Sequence, residues 1–597
     1  MTVARWPLRV VLFFAVGSLA SPLLPGADGN RLTYLDEHDP YYVSRDFPRL
    51  ITPQWVGEEG VDAVVILAID DMRSTEPYER YLGPILTRLK EIDGRAPVSI
   101  MTNRLEPDAP ILQKWLTEGL SLECHTLDHP CPLLRGGDFA KAKATYDGCV
   151  DLLSSVPGNE PVAFRMPCMD SRNTPSPRFY AEIFNRTTPG GRFLRIDSSV
   201  CNVTTLDDPE LPRELVVDAD GRPRFRKYIP FPSFVNTVEN YPYPYVLGKL
   251  CWQFPCVVPS DWEAQNLHGV NHAVTVRDLQ AQIDVTVIKQ GTFTLVFHPH
   301  GWLRNDQVVQ VVDHAVRRHG KRILFLNFRE AAERLREHLL AGHPLRRADG
   351  GDNGVRLLDV DADGYLDVVV GNDEERLTRL WDPRRRTWKN LPFPCPLVAV
   401  NEEGERRETG VQFGVIRGDG QASAVVRNED LVGAWHFDGR GWREDPEFFA
   451  GLELDGEPVL TRRAGRDQGV RLRDLDGDGR SEVVVGSPSR TAVFRRASET
   501  GRWTRLPFAL PDGATIVDEE GRDAGLRFRD IDGDLRDDVV FSNTSRYSLS
   551  LFQSMDEGWS RKVLAGARDE GKDSDRAVDL PPITRNGTEN GAWFHSR

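Results

Sequence analysis

The sequence predicts two unlike domains, an α/β sheet or barrel followed by an all-β repeat array of propeller type. Three observations carry that reading. From Val61 to about Leu340 short apolar runs alternate with amphipathic stretches, the rhythm of parallel strands joined by helical crossovers. From about Gly351 onward one segment recurs at Gly354, Gly410, Gly469 and Gly525, spaced 56–59 residues apart and made of strand and turn. At 597 residues the chain also exceeds what one domain usually holds.

The elements follow in chain order. Met1–Arg9 carries two arginines and no acid, Val10–Ala20 is apolar, and Ser18-Leu19-Ala20 puts small residues where a signal peptidase cuts. That is a secretory signal over 1–20, too short to span a bilayer. A short segment over 21–51 precedes an α/β domain over 52–340, a linker over 341–350 and the repeats over 351–597. Strands are predicted at Val61–Ile69, Val98–Thr102, Ser121–His125, Val162–Arg165, Thr292–His298 and Ile323–Phe328. Helices are predicted at Tyr78–Ile92, Ile111–Glu118, Phe139–Leu153, Arg178–Phe184, Val308–Arg318 and Arg329–Leu339. Cys201–Asn271, rich in proline and aromatics, reads as an irregular insertion.

Composition narrows the function. Hydrophobic residues at 40% and charged residues at 28% exclude a disordered or collagen-like chain. A net charge of −15 lacks the basic footprint of a nucleic-acid binder. No later segment is long and apolar enough for a membrane span, so the mature chain is expected to be secreted, periplasmic or on the cell surface. Cys124, Cys131, Cys149, Cys168, Cys201, Cys251 and Cys256 lie before residue 260 and only Cys395 after it. Some are expected to pair in an oxidising compartment, with the connectivity open.

Three of the four repeats carry an acidic loop. Asp359, Asp361, Asp363 and Asp367 recur as Asp474, Asp476, Asp478 and Glu482, and again as Asp530, Asp532, Asp534 and Asp538. Alternate carboxylates on a tight turn suit calcium, a hard cation that takes six to eight oxygens. The copy at Gly410 has Val415, Arg417, Asp419 and Ser423 there and is expected to bind none. These repeats resemble the FG-GAP family of integrin α-chains, also seen as VCBS repeats, which implies a β-propeller with structural calcium. Glu589–Phe594 looks like the start of a further repeat, so the array is expected to be unfinished at Arg597.

Chemistry concentrates in the first half. Asp70-Asp71 ends a buried strand, where two carboxylates are costly unless a metal or cation neutralises them. His125-Thr126-Leu127-Asp128-His129 places two imidazoles at the spacing that lets both meet one metal. Further strand ends add Arg165-Met166-Pro167-Cys168, Asp261-Trp262 and His298-Pro299-His300. Active sites of α/β barrels gather at such C-terminal strand ends.

In that order the pieces resemble the five motifs of the polysaccharide deacetylase family (NodB homology, carbohydrate esterase family four), over about 60–335. The resemblance implies a deformed (β/α) barrel and a divalent transition metal, zinc being favoured by two imidazoles. It implies Asp71, His125 and His129 as ligands, Asp70 as general base, Arg165 orienting Asp70, and His298 as general acid tuned by Asp261. Trp262 and Cys168 would line the substrate pocket, with cysteine standing where the family usually has an aromatic, and His300 is the rival to His298. The expected function is removal of acetyl groups from N- or O-acetylated glycans, with the propeller attaching to glycan or cell surface. Two alternatives stand beside it: a calcium-dependent adhesion protein with an inactive barrel, and a hydrolase of small non-peptide C–N bonds.

Overall fold

A computed structural model describes residues 30–32, 51–52, 55–229, 234, 236–401, 404–497, 500–511, 513–568 and 580–592. The signal expected at 1–20 lies outside them. The first half opens with β1 (Ala63–Met72), α1 (Glu76–Asp93), β2 (Val98–Thr102), α2 (Pro110–Glu118), β3 (Ser121–Cys124), α3 (Phe139–Ser154) and β4 (Ala163–Phe164). Strands β2 and β3 are buried at every residue, as parallel strands covered on both faces must be. Parallel pairing runs from β1 through β2 and β3 to β4, then to β5 (Ile196–Asp197).

The stretch expected to be irregular closes the barrel instead. β5 continues into β6 (Cys201–Val203), and β7 (Cys251–Gln253) into β8 (Cys256–Val257). The pairs Ile196↔Trp252 and Cys256↔Cys201 are joined by backbone bonds from Phe254 to Asp197 and from Cys256 to Val200, each 2.8 Å. β8 pairs with β9 (Thr292–Phe297), and β9 returns to β1 from Val64↔Thr292 to Ile69↔Phe297. The ring is complete, and β10 (Ile323–Phe325) pairs with the first residues of β1. The helices α4 (Asp261–His268), α5 (Ala273–Lys289), α6 (Asn305–His319) and α7 (Phe328–Arg334) complete the domain. Because the ring strands run parallel, their C-terminal ends open on one rim.

Among the described residues the second half holds four antiparallel four-stranded sheets, within 355–392, 412–444, 470–505 and 526–567. Apolar clusters join the first sheet to the second, the second to the third and the third to the fourth. The repeated glycine has a physical cause. Gly354, Gly469 and Gly525 sit at φ +66°, +69° and +93°, where a Cβ would lie 2.5, 2.4 and 2.3 Å from the carbonyl oxygens of Gly371, Gly486 and Ser542.

Segment 341–350 is not a solvated linker. Leu345 and Arg346 are buried, and the Arg346 guanidinium donates to the carbonyls of Gly350, Phe184 and Leu194 at 2.9, 3.1 and 3.2 Å. At the far end, Thr584–Arg585 pairs with Thr588–Glu589 as a separate hairpin. That hairpin rests on the barrel, where Arg585 Nη2 is 3.4 Å from Glu182 Oε1. Of the expected further repeat, Trp593 and Phe594 lie outside the described residues.

Candidate active site

The rim of the barrel collects the residues that the motifs singled out. Asp70 ends the buried part of β1, 2% exposed, and Arg165 just after β4 is fully buried against it, Nη1 to Oδ1 2.6 Å. The rest of the guanidinium is fixed by Ser198 after β5, Nε to the carbonyl 2.9 Å and Nη2 to Oγ 3.1 Å. A buried carboxylate needs such a partner, and the pair fixes Asp70 at the cavity wall.

Asp71 adopts φ +75°, which turns its side chain toward the loop after β3. Its Oδ1 lies 3.2 Å from Nε2 of His125 and 2.9 Å from Nε2 of His129. The Nδ1 of His125 is 2.9 Å from the carbonyl of Arg165, so the proton of the neutral ring belongs there and Nε2 presents a lone pair to Asp71. Oδ1 is a buried oxygen without a hydrogen-bond partner among the described residues. Two ring nitrogens gather on one carboxylate oxygen, and a donor set of two imidazoles and a carboxylate fits a divalent transition metal.

On the opposite wall Asp261, the first residue of α4, accepts both the backbone N–H of His298 at 2.7 Å and its Nδ1 at 2.8 Å. Burial disfavours the imidazolium, yet Asp261, then Asp70 and Asp71, raise the His298 pKa to about 9. His300 turns back to Oδ2 of Asp71, its Nε2 at 3.1 Å. Asp70, Asp71, His125, His129, Cys168, Trp262 and His298 line one cavity of about 240 Å³, together with Met169, Phe234 and Trp302.

Cys168 is bonded to Cys131, a pairing that residue spacing leaves open. The disulfide joins the loop after His129 to the loop after Arg165, so the wall where an aromatic was expected is a cross-link. Sequence reasoning missed two supports, Ser198 and Asn103. The Asn103 Nδ2 donates to the carbonyls of His125 and Thr126 at 2.8 Å each, which holds the first imidazole in place. Asn103 directly follows the predicted strand Val98–Thr102, and that position was the available signal.

In the acidic loops, ligand atoms of Asp359, Asp361 and Asp367 converge, as do those of Asp474, Asp476 and Glu482, and of Asp530, Asp532 and Asp534. Asp363, Asp478 and Asp538 stand outside those groups; Asp538 accepts instead from the backbone of Ile531 and Phe552, at 2.9 and 2.8 Å. Burial and the neighbouring acids push Asp361 up to about 7 and Glu482 to about 8, in the second case against the pull of Arg495. A further grouping on the outer helices, Asp284 with His314 and His319, is already neutralised by Arg318, whose Nε lies 3.0 Å from the same oxygen. Among the described residues no helix is long and apolar enough to cross a membrane.

The FG-GAP-like repeat family matches residues 474–541, from the acidic loop of the third sheet into the fourth. No curated protein matches the chain in sequence. Among solved structures, a Mycobacterium smegmatis protein described as a polysaccharide deacetylase is 15% identical with a TM-score of 0.31, covering 48% of this chain and 95% of its own. An allantoinase is 13% identical with a TM-score of 0.31, covering 49% and 95%. An Agrocybe aegerita lectin that recognises non-reducing terminal N-acetylglucosamine is 17% identical with a TM-score of 0.26, covering 37% of this chain and 53% of the lectin.

Proposed function

We propose that the barrel is a metal-dependent hydrolase that removes acetyl groups from acetylated glycans, and that the repeats bind calcium and attach the exported protein to glycan or a cell surface. The observation that carries the reading is the division of labour on one rim. One carboxylate faces two imidazoles, its neighbour is locked to a buried arginine, and a third imidazole is backed by its own carboxylate.

Asp71, His125 and His129 would hold the metal, which when bound polarises a carbonyl and acidifies water. Asp70, fixed by Arg165, takes the proton of the attacking water. His298 delivers a proton to the departing amine or alcohol; Asp261 holds Nδ1, so Nε2 is the atom that gives it. Trp262, Trp302 and Met169 exclude water around the acetyl group and orient it. The test is acetate release from a panel of acetylated glycans, with and without chelator, beside the metal content of wild type and His129→Ala. Metal-dependent release that falls with the metal content of the variant is expected. Absence of release across the panel, or equal metal in both proteins, overturns the reading.

A further inference from the structure

The turn after β9 offers two imidazoles, and the reading above uses one. His298 and His300 stack with centroids 5.3 Å apart and 20° between planes, and Gly301 at φ +80° lets Trp302 meet the His300 ring edge-on at 5.0 Å. Their partners differ. His298 has Asp261 behind it and stands 3.8 Å from Asp71 Oδ2. His300 has its Nε2 on that same Oδ2 at 3.1 Å, and its side chain is 41% exposed. Asp71 therefore divides its oxygens, Oδ1 toward His125 and His129 and Oδ2 toward His300. Among the described residues His300 is the side chain that hydrogen-bonds Asp71.

We propose that His300 is a positioning residue for the metal-binding carboxylate: its Nε2–H holds Oδ2 of Asp71 so that Oδ1 stays aimed at the His125–His129 pair. The inference rests on the reading of Asp71, His125 and His129 as ligands. A carboxylate can rotate about its side-chain torsions, and ordering it beforehand lowers the entropy lost when a cation binds. Outer partners of metal ligands typically carry about 10–100-fold in affinity. On the same reading the two histidines divide the work: His298, with a carboxylate behind it, is the proton donor, and His300 serves the ligand.

The experiment titrates the full chain with Co²⁺ against a chromophoric chelator and records the visible absorption of the bound ion. Wild type, His300→Ala, His300→Gln and His129→Ala are compared, with circular dichroism to show that each is folded. His300→Ala is expected to weaken Co²⁺ binding about 10–100-fold and to change the visible bands. His300→Gln, whose amide N–H reaches a carboxylate in the same way, is expected to recover most of the affinity. Wild-type affinity in a folded His300→Ala overturns the proposal, as does a glutamine variant no better than alanine. Failure of wild type to bind Co²⁺, or full binding by His129→Ala, overturns the ligand assignment and this inference with it.

Discussion

At the scale of single residues, the buried Asp70–Arg165 pair is the most consequential contact in the barrel. Its worth lies in what happens when half of it is removed: an uncompensated buried charge costs about 3–5 kcal/mol. Arg165→Met is therefore expected to lower the denaturation midpoint sharply; Asp70→Asn, whose amide oxygen can still accept from the guanidinium, is expected to lower it less, to keep the metal and to lose acetate release by about 10²–10⁴-fold. Metal analysis of the Asp70→Asn protein checks the division of roles, because metal loss there and not in Asp71→Asn would exchange them. Asp170, just past the disulfide, gives a second test. It accepts from the backbone of Asn236 at 2.7 Å and from Thr174 Oγ1 at 2.9 Å, but burial pushes its pKa up to about 7. The folded value lies above the unfolded value of about 3.9, so the folded state binds the proton more tightly and stability falls as pH rises from about 4 to 7. Asp170→Asn should flatten that loss; urea midpoints at pH 5 and pH 8 that change equally in both proteins would show that another group titrates.

At the scale of elements, the acidic loops are alike in sequence and unlike in structure. In the loop of the third sheet Arg495 already supplies positive charge, Nη1 to Asp476 Oδ2 3.0 Å and Nη2 to Asp478 Oδ2 2.5 Å. A calcium ion entering this loop would have to displace that guanidinium. If the loops bind calcium as proposed, the ion should raise the melting temperature, and Arg495→Met should enlarge that rise by stronger binding to the folded state alone. A calcium-induced rise equal to wild type would mean that Arg495 does not compete. Elements of this kind divide what a sequence reveals from what it hides. Val98–Thr102, with its uniform burial, was legible to the residue, and so was the repeat, because a shared glycine and shared carboxylates recur in register. The strands that close the barrel are two or three residues long, too short for any periodicity to register. Helix α5 escaped because it buries Thr275, Asp278, Gln282, Asp284 and Thr286 along with its apolar residues, so no polar face marks it. Asp70, Asp71, His125, His129 and His298 were legible as strand-end motifs. The Cys131–Cys168 bond and the support from Ser198 depend on approach in space across 37 and 33 residues, which no local pattern records.

At the scale of the whole molecule, the two halves share their packing. Val355, Leu357, Leu366, Val368 and Val370 of the first sheet belong to the same apolar cluster as the barrel strands. The barrel hairpin between Leu247 and Cys251 sends Lys249 to Glu408 at 3.0 Å, and both line a cavity with Arg356, Arg471 and Arg527. Arg346 stands at the junction between the halves. Its guanidinium is buried over the ring of Phe193, 4.3 Å from the centroid, and it donates to carbonyls of the barrel and of its own hairpin. Burial lowers its pKa, and the carbonyl dipoles offset the cost of the charge. Arg346→Met keeps the stem and the stacking volume but leaves those carbonyls without their donor, each charge-assisted bond being worth about 1.5–3 kcal/mol. If the junction couples the halves, wild type should melt in one calorimetric transition, and Arg346→Met should separate it into two, the barrel and the sheets unfolding at different temperatures. A variant that still melts in a single transition at the wild-type temperature would place the coupling in the shared apolar cluster, where Leu357→Ala would then be the substitution that divides it.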